Sequence, residues 1–79
     1  MKKKFTDYLI VDGYNVINAW SDLNEMAKVD LEGAREKLNF ILGEYAAFSG
    51  IYTIVVYDAY RVKAHTKREE EIGNLKIVY

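Results

Sequence analysis

Residues 8–15 read Tyr-Leu-Ile-Val-Asp-Gly-Tyr-Asn, an apolar run that ends abruptly in an acidic residue and a glycine. A continuous apolar run of this length is typical of a strand that is buried on both faces inside a parallel sheet. Two further runs have the same character, at residues 52–57, where Asp58 follows directly, and at residues 75–79. The chain therefore contains three candidate strands of one parallel sheet.

The region between the first two strands has the three- and four-residue spacing of an amphipathic helix. Its apolar positions are Leu31, Ala34, Leu38, Ile41, Leu42 and Tyr45. Asp30 is suited to cap the N-terminus of this helix, and Ser49-Gly50 is suited to end it. A shorter helix is expected at residues 23–27, capped by Ser21.

The order strand, helix, strand predicts a βαβ unit, which crosses over right-handedly in nearly all proteins. We therefore predict an α/β fold, a parallel sheet with flanking helices. Residues 61–74 are the longest polar stretch and are expected to form a loop before the third strand. Residues 1–79 are expected to belong to a single domain, because this length excludes two.

Composition excludes several classes of protein. Because the 79 residues include no cysteine, the chain has no disulfide framework, thiolate zinc site or cysteine nucleophile. Eleven basic and twelve acidic side chains give a net charge of −1, so any basic surface must arise from local segregation of charge. The apolar runs are too short for a signal peptide or a membrane-spanning helix, and a cytoplasmic location is expected.

Two aspartates, Asp12 and Asp58, directly follow the first two strands. Ligands of open parallel sheets bind outside the carboxyl ends of the strands, and neighbouring strands lie about 5 Å apart. Adjacent carboxylates repel unless a cation lies between them, and Mg²⁺ or Mn²⁺ prefers such oxygen ligands. The pattern therefore predicts a metal site for phosphoryl chemistry. The alternative is that each aspartate only caps the turn or helix that follows it.

The residues after Asp12 refine this prediction. Gly13 is expected to allow a tight turn and to leave open space above Asp12. Asn15 can donate to a phosphate or hold a metal-bound water, or it can be a simple helix cap. The further glycines and the basic residue of a phosphate-binding loop are missing. Tyr14 stands where an aspartyl-nucleophile phosphatase would carry a second aspartate.

Residues 61–68 contain five basic side chains and no acidic one. They are Arg61, Lys63, His65, Lys67 and Arg68. A basic segment beside a metal pocket suits a polyanionic substrate. The alternative is a solvated loop whose charge is balanced by residues 69–71, and the lone His65 is expected to have no special role. The aromatic residues Tyr14, Trp20, Tyr57 and Tyr60 are expected to flank the pocket, where such rings can stack on bases.

Together these segments resemble the YacP-like branch of the NYN domains, which are relatives of the PIN domain nucleases. The resemblance rests on residues 8–17, Trp20, residues 30–38 and residues 54–60, and it extends over residues 8–79. It implies a three-layer Rossmann-like parallel sheet with flanking helices, in the strand order third, second, first, fourth and here cut off after the third strand. It also implies acidic residues that bind Mg²⁺ or Mn²⁺ and cleave RNA. Members are bacterial and cytoplasmic and act on messenger RNA, some of them at the ribosome.

Carried over residue by residue, the resemblance makes Asp12 the first metal aspartate and Asn15 the polar residue of the same motif. Asp58 matches the acid at the end of the second strand. The predicted catalytic residues are therefore Asp12, Asn15 and Asp58, with Asp12 and Asp58 as metal ligands. The predicted RNA-binding residues are Arg61, Lys63, Lys67 and Arg68.

This sequence is considerably shorter than the domains of that family, which carry further acidic residues after the third strand. We therefore expect the N-terminal half of such a domain, incomplete and inactive as an isolated chain. The first strand would lack one neighbour, so residues 9–11 would form an open apolar edge that favours self-association. The alternative function is a non-catalytic RNA-binding module in which the aspartates are structural.

Overall fold

The computed structural model describes residues 7–57 and 68–79. The described strands are β1 (Tyr8–Asp12), β2 (Tyr52–Val56), β3 (Glu69–Ile72) and β4 (Leu75–Val78). The described helices are α1 (Gly13–Ala19), α2 (Ser21–Val29) and α3 (Leu31–Ser49). The predicted α/β fold with flanking helices is confirmed. No helix among them is both long enough and apolar enough to cross a membrane.

The four strands form one open sheet in the order β1-β2-β4-β3. Strand β2 is parallel both to β1 and to β4, and the three helices connect β1 to β2. The three predicted strands are therefore adjacent and parallel, in the order third, second, first that the family resemblance implies.

Strand β3 corrects the prediction that the whole polar stretch before the third strand is a loop. Its residues, 69–72, are all exposed and pair antiparallel with β4 across a turn that contains Gly73. Gly73 has a φ of 58°, a conformation that glycine adopts without steric cost. Glutamate is depleted in strands, so the three consecutive glutamates of β3 argued against this assignment. Pairing with the partly buried β4 overrides that preference.

Helix α3 begins and ends as its sequence predicts. The Asp30 carboxylate accepts a 2.9 Å hydrogen bond from the Gly33 N–H, and Gly50 ends the helix with a left-handed φ of 77°. The prediction for the shorter helix is wrong in one respect, because α2 begins at Ser21 and is not capped by its side chain. Trp20 occupies the cap position, since its extended backbone separates α2 from the preceding α1.

The core lies between the helices and one face of the sheet. All three helices contribute to it, together with β2 and β4. Its best-buried aliphatic side chains are Ile17, Leu23, Leu38, Val55, Leu75 and Ile77. Burial alternates along β2 and β4, so the helices of the described residues cover mainly one sheet face.

Strand β1 is more exposed than its apolar sequence predicts. The side chains of Tyr8 and Ile10 are 59% and 70% exposed, so the prediction of a strand buried on both faces is wrong. The physical reason is position, because β1 is the outer strand of the described sheet and pairs there with β2 alone. The expected open apolar edge is therefore present in this structure.

Candidate active site

The candidate site begins at the carboxyl end of β1, where Asp12 is the last residue of the strand and the N-cap of α1. One carboxylate oxygen lies 3.3 Å from the Asn15 N–H donor atom and the other lies 3.0 Å from Asn15 Nδ2. The structure thus brings these two predicted residues together, and Asp12 also fills the capping role of the alternative. Each carboxylate oxygen has more than one acceptor direction, so capping leaves Asp12 able to bind a cation.

The second predicted aspartate, Asp58, lies outside the described residues, as do Arg61, Lys63 and Lys67. The pairing of β1 with β2 nevertheless shows that β2 ends beside Asp12, before the undescribed segment begins. Asp12 is opposite Val56 at the carboxyl end of β2, and Asp58 follows Val56 by one intervening residue, Tyr57. The functional roles of Asp58 and of these basic side chains stay predictions. His65 and Tyr60 also belong to the undescribed segment.

Gly13 is required by a close approach between chain segments. A Cβ atom at this position would lie 2.3 Å from Cε1 of the Tyr57 ring, far inside van der Waals contact. The Tyr57 ring thus occupies the space that a side chain at Gly13 would need, while Asp12 itself is exposed. Tyr57 is only 4% exposed, so the first turn of α1 rests directly on a buried aromatic ring at the end of β2.

Tyr57 also connects the strand end to α3. Its hydroxyl donates to Oδ1 of Asn39 at 2.7 Å, and the Arg35 carbonyl oxygen lies 3.3 Å away. Nδ2 of Asn39 lies 3.4 Å from the Tyr79 hydroxyl, and Nη1 of Arg35 donates to the Tyr14 hydroxyl at 3.1 Å. These five residues form a polar network beneath the Asp12 turn. Arg35 and Asn39 are not among the residues predicted for the site, and their only signal in the sequence is their position one helical turn apart on α3.

The rings of this network are packed on one another. Tyr57 meets Tyr14 edge-on with ring centroids 5.4 Å apart and stacks on Tyr79 at 5.8 Å. The Arg68 guanidinium lies 4.2 Å above the Tyr79 ring. Burial raises the pKa of the Tyr57 hydroxyl well above its ordinary value, so it stays a hydrogen-bond donor at neutral pH. Trp20, also predicted to flank the site, lies between α1 and α2 and is 44% exposed.

Comparison with known proteins identifies the family. The profile of the YacP-like NYN domain matches residues 9–79. The chain belongs to the YacP-like NYN domain family. The resemblance indicated by the Asp-Gly-Tyr-Asn motif is therefore confirmed.

Two relatives show how far the similarity extends. The chain is 41% identical over 63 residues to the uncharacterized protein YacP of Bacillus subtilis (strain 168). This alignment covers 80% of this chain and 37% of that protein. It is also similar to the crystal structure of Rae1 (YacP) from Bacillus subtilis, with a TM-score of 0.70 at 36% identity. That match covers 91% of this chain and 41% of the other. The NYN chain thus spans about two fifths of the length of these relatives.

The oxygen donors at this edge of the NYN sheet are of the type that hard divalent cations prefer. Within residues 7–57 and 68–79, no group of three or more His, Cys, Asp or Glu side chains is close enough to hold a metal ion. The described oxygen donors are the Asp12 carboxylate and the Asn15 side-chain carbonyl. Mg²⁺ keeps several waters and is held by as few as one or two carboxylates. A hydrated ion with Asp12 as a protein ligand therefore fits the donor chemistry.

Proposed function

We propose that this NYN domain belongs to a metal-dependent endoribonuclease that acts on messenger RNA at the ribosome. The observation that carries the proposal is the placement of Asp12, exposed at the carboxyl end of β1 and held by two contacts from Asn15. This is the edge of an open parallel sheet where ligands bind. Membership of a nuclease-like family supports the same chemistry.

In this proposal each predicted residue has a distinct task. Asp12 and Asp58 hold Mg²⁺ or Mn²⁺, and Asn15 fixes the orientation of the Asp12 carboxylate through its amide. The ion, when bound, activates a water and stabilises charge on the phosphate. The basic side chains bind the RNA backbone, and the residues proposed for this are Arg61, Lys63, Lys67 and Arg68.

The test compares two aspartates that share one structural role. Asp12 and Asp30 both cap a helix by accepting from the backbone N–H three residues later. An asparagine caps almost equally well, so Asp12→Asn and Asp30→Asn have similar small effects on stability. Only Asp12→Asn should reduce Mn²⁺-dependent RNA cleavage by the protein at its native length. We expect a loss of more than about 100-fold, since groups that merely orient a metal ligand are worth roughly 10–100-fold. Wild-type cleavage by Asp12→Asn would remove Asp12 from the mechanism.

The second candidate function is an RNA-binding module without catalysis. It is favoured by the capping bonds of Asp12, which account for its carboxylate without any ion. Calorimetric titration with Mn²⁺ separates the two candidates. The nuclease requires Mn²⁺ binding that Asp12→Asn weakens, whereas RNA binding with no Mn²⁺ uptake at millimolar concentration would establish the module.

A further inference from the structure

A groove with a volume of about 790 Å³ lies between α3 and the β3–β4 hairpin. This volume is in the range of small-molecule sites, roughly 300–1,000 Å³. Leu75 and Ile77 of β4 form an apolar floor, and each is 1% exposed. The walls are mixed, since Phe40 and Ile72 are apolar whereas Arg35, Glu36 and Asn39 on α3 are polar. Arg35 and Asn39 place one end of the groove against the tyrosine network beneath Asp12.

The charges that line the groove disfavour a phosphate. Four carboxylates face it, and they belong to Glu32, Glu36, Glu44 and Glu70. Among the described residues, two guanidinium groups oppose them, those of Arg35 and Arg68, and Arg68 already lies 4.0 Å from Glu70. These described side chains by themselves would repel an anion inside the groove. A neutral, planar ligand with hydrogen-bond donors is instead complementary to an apolar floor with acidic walls.

Arg68 supplies a fixed plane on which such a ligand can stack. Tyr79 covers one side of the guanidinium at 4.2 Å, and the Arg68 carbonyl accepts a 2.8 Å bond from the Tyr79 N–H. Tyr79 is held in turn by the Tyr57 ring and by Asn39. The Arg68 side chain is 66% exposed, so ligand-accessible surface remains on it. Guanidinium planes are among the groups on which proteins stack unpaired bases.

We propose that this groove binds an unpaired nucleobase that carries an exocyclic amino group, stacked on Arg68. Adenine, cytosine and guanine present an amino donor, which uracil lacks. In this arrangement Glu36, exposed on α3, accepts from the amino group. The inference rests on the proposed RNA function and assigns Arg68 a role in base stacking in addition to backbone binding. It places a base site between α3 and the hairpin, beside the Asp12 edge.

The experiment titrates the 79-residue chain with neutral nucleosides and follows backbone amide shifts by NMR. Adenosine and cytidine should shift the amides of Arg68, Tyr79 and Asn39 saturably, with affinity at least about fivefold higher than uridine. Ribose 5-phosphate, which carries a phosphate and no base, should leave them unchanged. Arg68→Lys keeps the charge and loses the planar stacking surface, so it should weaken the binding of adenosine at least about fivefold.

Glu36→Gln provides a second variant at an exposed position that does not endanger folding. It should reduce the preference for cytidine over uridine, whereas Glu25→Gln, a matched change on α2 away from the groove, should not. Binding of ribose 5-phosphate without nucleoside binding would overturn the base site. Concentration-dependent shifts of the groove amides without ligand would also overturn it, because a second copy of the chain would then occupy the groove.

Nucleoside binding requires neither metal nor cleavage, which keeps this test independent of the nuclease. Failure of nucleosides to bind, beside RNA cleavage that depends on Asp12, would reject only the base site. Nucleoside binding together with unchanged cleavage in Asp12→Asn would reject Asp12 from the mechanism and leave the base site standing.

Discussion

The Tyr57 hydroxyl, at the end of β2, donates a 2.7 Å hydrogen bond to the side-chain oxygen of Asn39 in the middle of α3. Because Tyr57 is 4% exposed, bulk water cannot easily replace this partner. The same ring lies against Gly13, the residue that follows Asp12. The position of the Asp12 carboxylate therefore depends on a contact between a strand end and a helix.

Tyr57→Phe should destabilise the chain by about 1–2 kcal/mol, because it leaves the half-buried Asn39 oxygen without its donor. The measurement is the free energy of unfolding from urea denaturation. Tyr45→Phe is the matched control, since Tyr45 lies on α3 with 42% of its surface exposed and should change stability by less than about 0.5 kcal/mol. Equal effects of the two substitutions would show that the bond to Asn39 contributes nothing specific.

Gly13→Ala should destabilise the chain by about 1–3 kcal/mol, because the new methyl group overlaps the Tyr57 ring. Gly43→Ala is the control. Its Cβ would meet Leu75 at 3.7 Å, an ordinary contact, and alanine in a helix interior is favoured over glycine by up to about 1 kcal/mol. Thermal unfolding should therefore move in opposite directions for the two variants. A Gly13→Ala protein as stable as wild type would contradict the close approach of Tyr57.

Stability should fall at alkaline pH because of a contact between Tyr52 and Glu71. The Tyr52 hydroxyl donates to the Glu71 carboxylate, and this hydrogen bond is the main cause that raises the pKa of Tyr52 to about 12 from 10.0. Folded Tyr52 thus keeps its proton where the unfolded chain loses it. The contribution is complete below about pH 10 and disappears as the pH rises towards about 12.

Phenolate absorbance and urea denaturation across this pH window measure the effect. Glu71→Gln should lower the pKa of Tyr52 and reduce the alkaline loss of stability, while the share that comes from the buried Tyr57 remains. Glu70→Gln, one position away on the same strand, should leave the Tyr52 titration close to wild type. If both variants titrate like wild type, the carboxylate is not the cause of the raised pKa.

We propose that the open edge of β1 drives self-association of the isolated chain. Ile10, in the middle of this strand, is 70% exposed, and a lysine on an edge strand opposes pairing with another chain. Sedimentation should show a mass that rises with concentration for wild type and a monomer for Ile10→Lys. Phe48→Lys removes a more exposed apolar side chain on α3, 93% exposed, and should not abolish association. Loss of association in both variants would indicate a non-specific apolar contact.

The sequence predicts those parts of the fold that depend on local pattern. The apolar runs locate β1, β2 and β4, and Asp30 and Gly50 bound α3 because helix caps depend on residues close in sequence. Strand β3 escaped prediction because its glutamates have low strand propensity, and its pairing is determined by its neighbour β4. The burial of β1 was overestimated for a similar reason, since its apolar sequence does not specify how many neighbours it has.

The candidate site likewise has a part that the local sequence indicates and a part that it does not. The contact between Asp12 and Asn15 spans a single helical turn. The motif indicates both residues and the capping role of Asp12, but it does not predict that the two side chains bond to each other. The contact between Tyr57 and Asn39 joins a strand end to a helix, and no local spacing reports it. The sequence explains the need for Gly13 only in part. A glycine directly after a strand indicates a special position, but the Tyr57 ring that makes this glycine necessary comes from a distant part of the chain.

The parallel pairing of β1 with β2 has a consequence for the order of folding. The two strands are separated in sequence by all three helices, so their register cannot form before a long segment has closed. Contacts between distant segments are slow to form, and we expect β1 to join the sheet after α3, β2 and the hairpin have assembled. The amides that join β1 to β2 should then be among the first hydrogen-bonded amides of the sheet to exchange with solvent. Asp12 would thus reach its position in the last stage of folding.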